Sequence, residues 1–121
     1  MKVVIDTNAL IYAAENKIDL FRLMKGNQII IPNLVLEELQ LISKAAKKAS
    51  DKKAAFLALK ILENASFRTI KLAGKTDSAI EKFAKATDSA VLTNDSALKK
   101  RLKHKDIKVL NIRQRKLVEE G

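Results

Sequence analysis

Asp6 follows the β-branched run Val3-Val4-Ile5 and precedes Thr7-Asn8 and the apolar triplet Ala9-Leu10-Ile11. An apolar run without alternation reads as a strand buried on both faces. Asp6 therefore stands where the carboxyl end of a strand meets the start of a helix, the place where open parallel sheets bind ligands. The same place suits a helix N-cap, and this stretch alone serves either role. A second stretch is built alike: Ala90-Val91-Leu92 ends in Thr93-Asn94-Asp95. Two further acids belong with these. On a helix predicted from Leu34 to about Lys47, steps of roughly 100° gather Leu34, Val35, Leu36, Leu39, Leu41, Ile42 and Ala46 into one apolar arc. Glu38 falls inside that arc and Glu37 points the opposite way. A carboxylate on a buried face is costly unless a cation or hydrogen-bond donors meet it, which singles out Glu38. Asp77, three residues before Ile80, takes the inward side at the start of a later helix.

Four carboxylates at one sheet edge repel one another, and helix dipoles offset only part of that repulsion. A hard divalent cation resolves the conflict. An all-oxygen donor set without Cys or His favours Mg²⁺ or Mn²⁺ over zinc. Such an ion can polarise a phosphoryl oxygen and activate water against a phosphodiester. No separate protein nucleophile is then needed, which fits a chain with no Cys and a single His104, set in Lys103-His104-Lys105.

The elements that must position these acids follow from patterning. Strands are predicted at 2–5, 29–31, 67–72, 90–93 and 107–112. Helices are predicted from 7 or 8 to about 14, over 18–24, 34–47, 52–64, at the stretch opened by Ser78-x-x-Glu81 as a capping box, and over 96–103. On the helix from Lys52, Ala55, Phe56, Leu59, Ile61 and Leu62 are expected to face the core. Buried strands alternating with amphipathic helices indicate a three-layer α/β/α sandwich with a mostly parallel central sheet. At 121 residues one domain is expected: residues 1–112, followed by a polar, basic C-terminal tail, 113–121. No apolar stretch approaches the roughly 20 residues of a membrane span, and a cytoplasmic location is expected.

The net charge is +10, from 24 basic and 14 acidic residues, which favours a polyanionic partner. Lys99, Lys100, Arg101, Arg113, Arg115 and Lys116 form the basic clusters expected to track RNA phosphates. One Tyr and four Phe leave little surface for base stacking, so backbone and shape recognition is expected.

The ordered set Asp6-Thr7-Asn8, Glu38-Leu39, Asp77 and Thr93-Asn94-Asp95 resembles the PIN domain family over essentially the whole chain. The resemblance implies a Mg²⁺- or Mn²⁺-dependent endoribonuclease acting on single-stranded or structured RNA. Asp6, Glu38, Asp77 and Asp95 would be both catalytic and metal-binding, with Thr7, Asn8, Thr93 and Asn94 supporting them. Lys17-Ile18-Asp19-Leu20-Phe21, Ile31-Pro32 with Val35-Leu36, Leu98-Lys99-Lys100-Arg101-Leu102 and Val109-Leu110-Asn111-Ile112-Arg113 look like the archaeal branch related to the small-subunit ribosomal RNA processing endonuclease, so rRNA processing or RNA turnover is expected. The VapC toxin branch is the nearest rival, and a non-catalytic RNA-binding module is a third reading. A ribosome-assembly factor, an antitoxin and a second copy of the chain all stay open as partners. Many relatives carry a second acid beside the third one; Ser78 stands there, which leaves one metal or two open. Asp6→Asn is expected to abolish cleavage with thermal unfolding nearly unchanged.

Overall fold

The computed structural model describes residues 1–120. Its strands are β1 (Lys2–Ile5), β2 (Gln28–Pro32), β3 (Arg68–Ile70), β4 (Ala90–Leu92), β5 (Val109–Arg113) and β6 (Lys116–Glu120). Its helices are α1 (Thr7–Glu15), α2 (Leu20–Leu23), α3 (Asn33–Ala45), α4 (Ala49–Glu63), α5 (Thr76–Thr87) and α6 (Ser96–His104). The strands form one sheet in the order β3-β2-β1-β4-β5-β6. All neighbours are parallel except the β5–β6 pair.

The middle strands of the sheet are the buried ones. Val3, Val4 and Ile5 are fully buried, as are Ile30 and Ile31 of β2 and Val91 and Leu92 of β4. Apolar side chains on both faces require a layer of helices on each side. From β1 the chain steps through β2 to β3; it then returns past β1 to β4 and β5. Right-handed crossovers put helices of the two arms on opposite faces. The crevice between β1 and β4 is thus the switch point of the sheet, where Ile5 lies beside Leu92.

Several elements depart from expectation. The helix expected from Lys52 begins at Ala49 and packs through Ala54, Ala55, Ala58 and Leu62. Small residues let α4 approach its neighbours closely, and the bulky Phe56 and Ile61 are turned outward, 56% and 44% exposed. Leu41 of α3 is likewise exposed. The expected tail is largely strand. Gln114 and Arg115 adopt φ of 49° and 62°, the left-handed pair that closes a two-residue hairpin, and Leu117 packs against the core. Ser78 and Glu81 form no capping box, because α5 starts earlier and Lys75 precedes its first turn. No helix among the described residues is long and apolar enough to cross a membrane.

Candidate active site

The parallel register of β1 and β4 sets Asp6 beside Thr93. The Asp6 backbone N–H donates to the Leu92 carbonyl at 3.0 Å. Asp6 is 5% exposed. Its Oδ1 accepts the Thr7 N–H at 2.8 Å and caps α1, and its Oδ2 accepts the Thr93 hydroxyl at 2.9 Å. Burial pushes the Asp6 carboxyl up to about 6, against the pull of its two hydrogen bonds, and the charges of Asp77 and Glu38 raise it further.

Glu38 lies half-buried on the inward face of α3, and Glu37 is exposed. The Thr7 hydroxyl donates to Glu38 Oε1 at 2.9 Å, so the residue after Asp6 orients the second acid. Asp77 occupies the first turn of α5. Burial raises its carboxyl, as do the charges of Asp95 and Glu38, and Arg101 opposes them. Asp6 thus feels the charges of Asp77 and Glu38, and Asp77 those of Asp95 and Glu38. Among the described residues, however, no three of these groups stand close enough to cage one ion between them. Part of the reason is visible in Asp95, whose Oδ1 is turned onto the amides of Ala97 and Leu98 at 2.9 and 3.4 Å as the N-cap of α6.

Thr93 joins the two halves of the crevice. Besides donating to Asp6, its hydroxyl lies 3.3 Å from Asn8 Oδ1 and accepts the Asp95 N–H at 3.1 Å. Asn8 Oδ1 also accepts the Asn94 N–H at 3.2 Å. Asn94 itself turns toward β5: its Oδ1 accepts the Ile112 N–H at 3.0 Å and its Nδ2 donates to the Ile112 carbonyl at 3.3 Å. Asn94 thereby fixes the loop after β4 onto the next strand. Asp88 sits in a left-handed turn at the end of α5 and is exposed, apart from this machinery.

The basic residues are distributed less simply than their clustering in the chain suggests. Lys99, Lys103 and Arg113 converge on Glu120 of β6 at 3.2, 3.6 and 3.8 Å. Hydrogen bonding from Lys99 is the main cause that holds the Glu120 carboxyl below its usual range. Arg115 donates to the backbone carbonyls of Asn16 and Lys17 at 2.8 and 2.9 Å. Lys100 and Lys116 are exposed. Arg101 donates to Glu81 and Ser78 of α5, and its charge opposes the rise of the Asp77 carboxyl. Ser78 and Glu81 have a spacing that resembles a capping box, and nothing in the chain marked them as partners of a residue twenty or more positions later.

The fold is a doubly wound α/β sheet with Asp6 buried at its switch point. The chain belongs to the PIN-like domain family, which it matches over residues 3–115. It is 34% identical to ribonuclease VapC4 of Methanocaldococcus jannaschii, across 98% of this chain and 95% of that protein. Among solved structures, it is similar to a domain of a functionally unknown protein from Methanocaldococcus jannaschii, with TM-score 0.69 and 24% identity over 99% of this chain and 94% of the other. It is also similar to VapBC2 from Rickettsia felis bound to a DNA fragment from their promoter, with TM-score 0.63 and 25% identity over 92% of this chain and 98% of that one.

Proposed function

We propose that this chain is a metal-dependent ribonuclease of the VapC kind, the toxin of a toxin–antitoxin pair. The observation that carries the catalytic half is the buried Asp6 at the switch point, held by Thr93 and the Thr7 amide, with Glu38 tied to the same corner through the Thr7 hydroxyl. The relatedness to ribonuclease VapC4 over nearly the full length of both chains supports the toxin branch over the rRNA-processing branch that the local motifs suggested. It also favours an antitoxin over a ribosome-assembly factor as partner.

The donor set fits a Mg²⁺ or Mn²⁺ ion. Mg²⁺ keeps much of its water and binds through one or two carboxylates, so a three-carboxylate cage is not required. Asp6 and Asp77 would hold the ion, with Glu38 and Asp95 reaching it directly or through water. When bound, the ion supplies Lewis acidity toward a phosphoryl oxygen and makes water a stronger nucleophile at neutral pH. The chain's own residues do the positioning. Thr93 and the Thr7 amide hold the Asp6 carboxylate, the Thr7 hydroxyl aims Glu38, and the capped start of α6 holds Asp95.

A partner segment has a seat available. An apolar groove of about 430 Å³ runs between α1, α2 and α4, lined by Leu10, Ala14, Ile18, Phe21, Leu57 and Ile61 among others. Leu57 and Ile61 stay substantially exposed beside it, which suits the apolar face of an antitoxin helix.

The test is Mn²⁺-dependent cleavage of a single-stranded RNA by the wild-type chain and by Asp6→Asn. The wild type should cleave, a chelator should stop it, and the variant should be inactive. Equal cleavage by both refutes the assignment. Growth arrest on expression, reversed by the product of a neighbouring gene, tests the toxin half; expression without arrest returns the chain to the processing branch.

A further inference from the structure

We propose that Arg101 is the anion-binding residue of this active centre, its guanidinium held in advance to receive the RNA phosphate that approaches the acids; this rests on the ribonuclease reading above. Two contacts hold the side chain. Its Nε donates to Glu81 Oε1 at 2.6 Å and its Nη2 donates to Ser78 Oγ at 2.8 Å. Ser78 is the neighbour of Asp77 in the first turns of α5, so this contact fixes the guanidinium next to the segment that carries Asp77.

A guanidinium carries five N–H donors. The clamp uses two, and three remain for a ligand on a side chain that is still 44% exposed. Phosphate oxygens match that planar fork. A phosphodiester nearing four carboxylates meets net repulsion, which a cation anchored at the rim reduces. Holding the side chain before the ligand arrives also removes the entropy cost of ordering it on binding. Four of the other basic residues are placed differently: Lys99, Lys103 and Arg113 gather at Glu120, and Arg115 is tied to backbone carbonyls. A partly exposed ion pair such as Arg101–Glu81 adds little to stability, so the pair's use is better sought in the ligand than in the fold.

Steady-state cleavage of a fluorogenic single-stranded RNA with Mn²⁺ tests this in the full chain. Arg101→Gln should lower kcat/KM by about ten- to a hundredfold, the loss of one charge-assisted contact. Arg101→Lys, which keeps the charge and loses the fork, should fall between. Glu81→Ala, which keeps the arginine and frees it, should also lower kcat/KM. A wild-type kcat/KM in Arg101→Gln overturns the proposal. So does a loss that lysine fully restores, since that describes general attraction to a polyanion. If Arg101→Gln fails to fold, a wild-type kcat/KM in Glu81→Ala overturns it instead. Asp6→Asn run alongside separates the two claims: if it cleaves, the ribonuclease reading fails, and if it is inactive while Arg101→Gln cleaves normally, only the role of Arg101 fails.

Discussion

Replacing Asp6 by Asn should make the protein more stable at neutral pH and less stable in acid. Asp6 is 5% exposed, and its carboxyl is raised from 3.8 to about 6, chiefly by burial. In the unfolded chain it releases its proton near the ordinary value, whereas the folded chain retains the proton until about pH 6. Between those two values the folded state binds more protons, so the contribution of Asp6 to stability falls as pH rises. The full penalty, about 3 kcal/mol for a shift of about two units, is present above pH 6 and absent below pH 4. Asparagine carries no charge and escapes it. It offers a single acceptor oxygen, however, and Asp6 receives donors from both Thr7 and Thr93; one unmet donor costs about 1 kcal/mol. The variant should therefore gain about 2 kcal/mol at pH 7 and lose about 1 kcal/mol near pH 4. Urea unfolding of both chains from pH 4 to 7, at constant ionic strength and without divalent ions, reads the difference. A stability difference that stays constant over this range refutes the reasoning. The thermally silent variant expected from the chain alone is thus revised, because burial of the carboxylate decides its effect.

Two other changes probe the frame of the site. Thr93→Val keeps the shape but removes the hydroxyl that donates to Asp6 and accepts the Asp95 N–H; it should cost about 1–3 kcal/mol in urea unfolding, and an unchanged midpoint would show that this hydroxyl does not hold the crevice together. Glu120→Gln removes the charge that gathers Lys99, Lys103 and Arg113. RNA binding should then tighten at low salt, and the slope of log affinity against log salt should steepen by about one; an unaltered slope would mean that these cations do not reach phosphate.

Much of the architecture was readable along the chain because its signals are local. Val3-Val4-Ile5 and Ile29-Ile30-Ile31 have no polar alternation, which only a sheet covered on both faces accommodates. Glu38 and Glu37 separate by helical phase alone, and the structure has the first half-buried and the second exposed. The ends of β1 and β4 looked alike as sequence, and parallel pairing brings Asp6 and Thr93 together. The hairpin leading to β6 escaped notice because Gln114 and Arg115, neither of them an ordinary turn residue, take the left-handed conformation. On α4 the expected Ala55 and Leu62 are buried, whereas Phe56 and Ile61 are exposed, because close helix packing selects the small side chains Ala54, Ala55 and Ala58 over the bulky ones.

Residue order alone thus determined the class of fold and the strand-to-helix junctions that carry Asp6 and Asp95, since each depends on periodicity and spacing within a few turns of chain. Only the tertiary structure decided where the cations sit. Glu120 draws three of them to the last strand, and Ser78 with Glu81 fixes Arg101 beside Asp77. Those pairings join residues up to about twenty positions apart, across separate elements, and no local pattern encodes a contact that exists only once α5, α6 and β6 have packed.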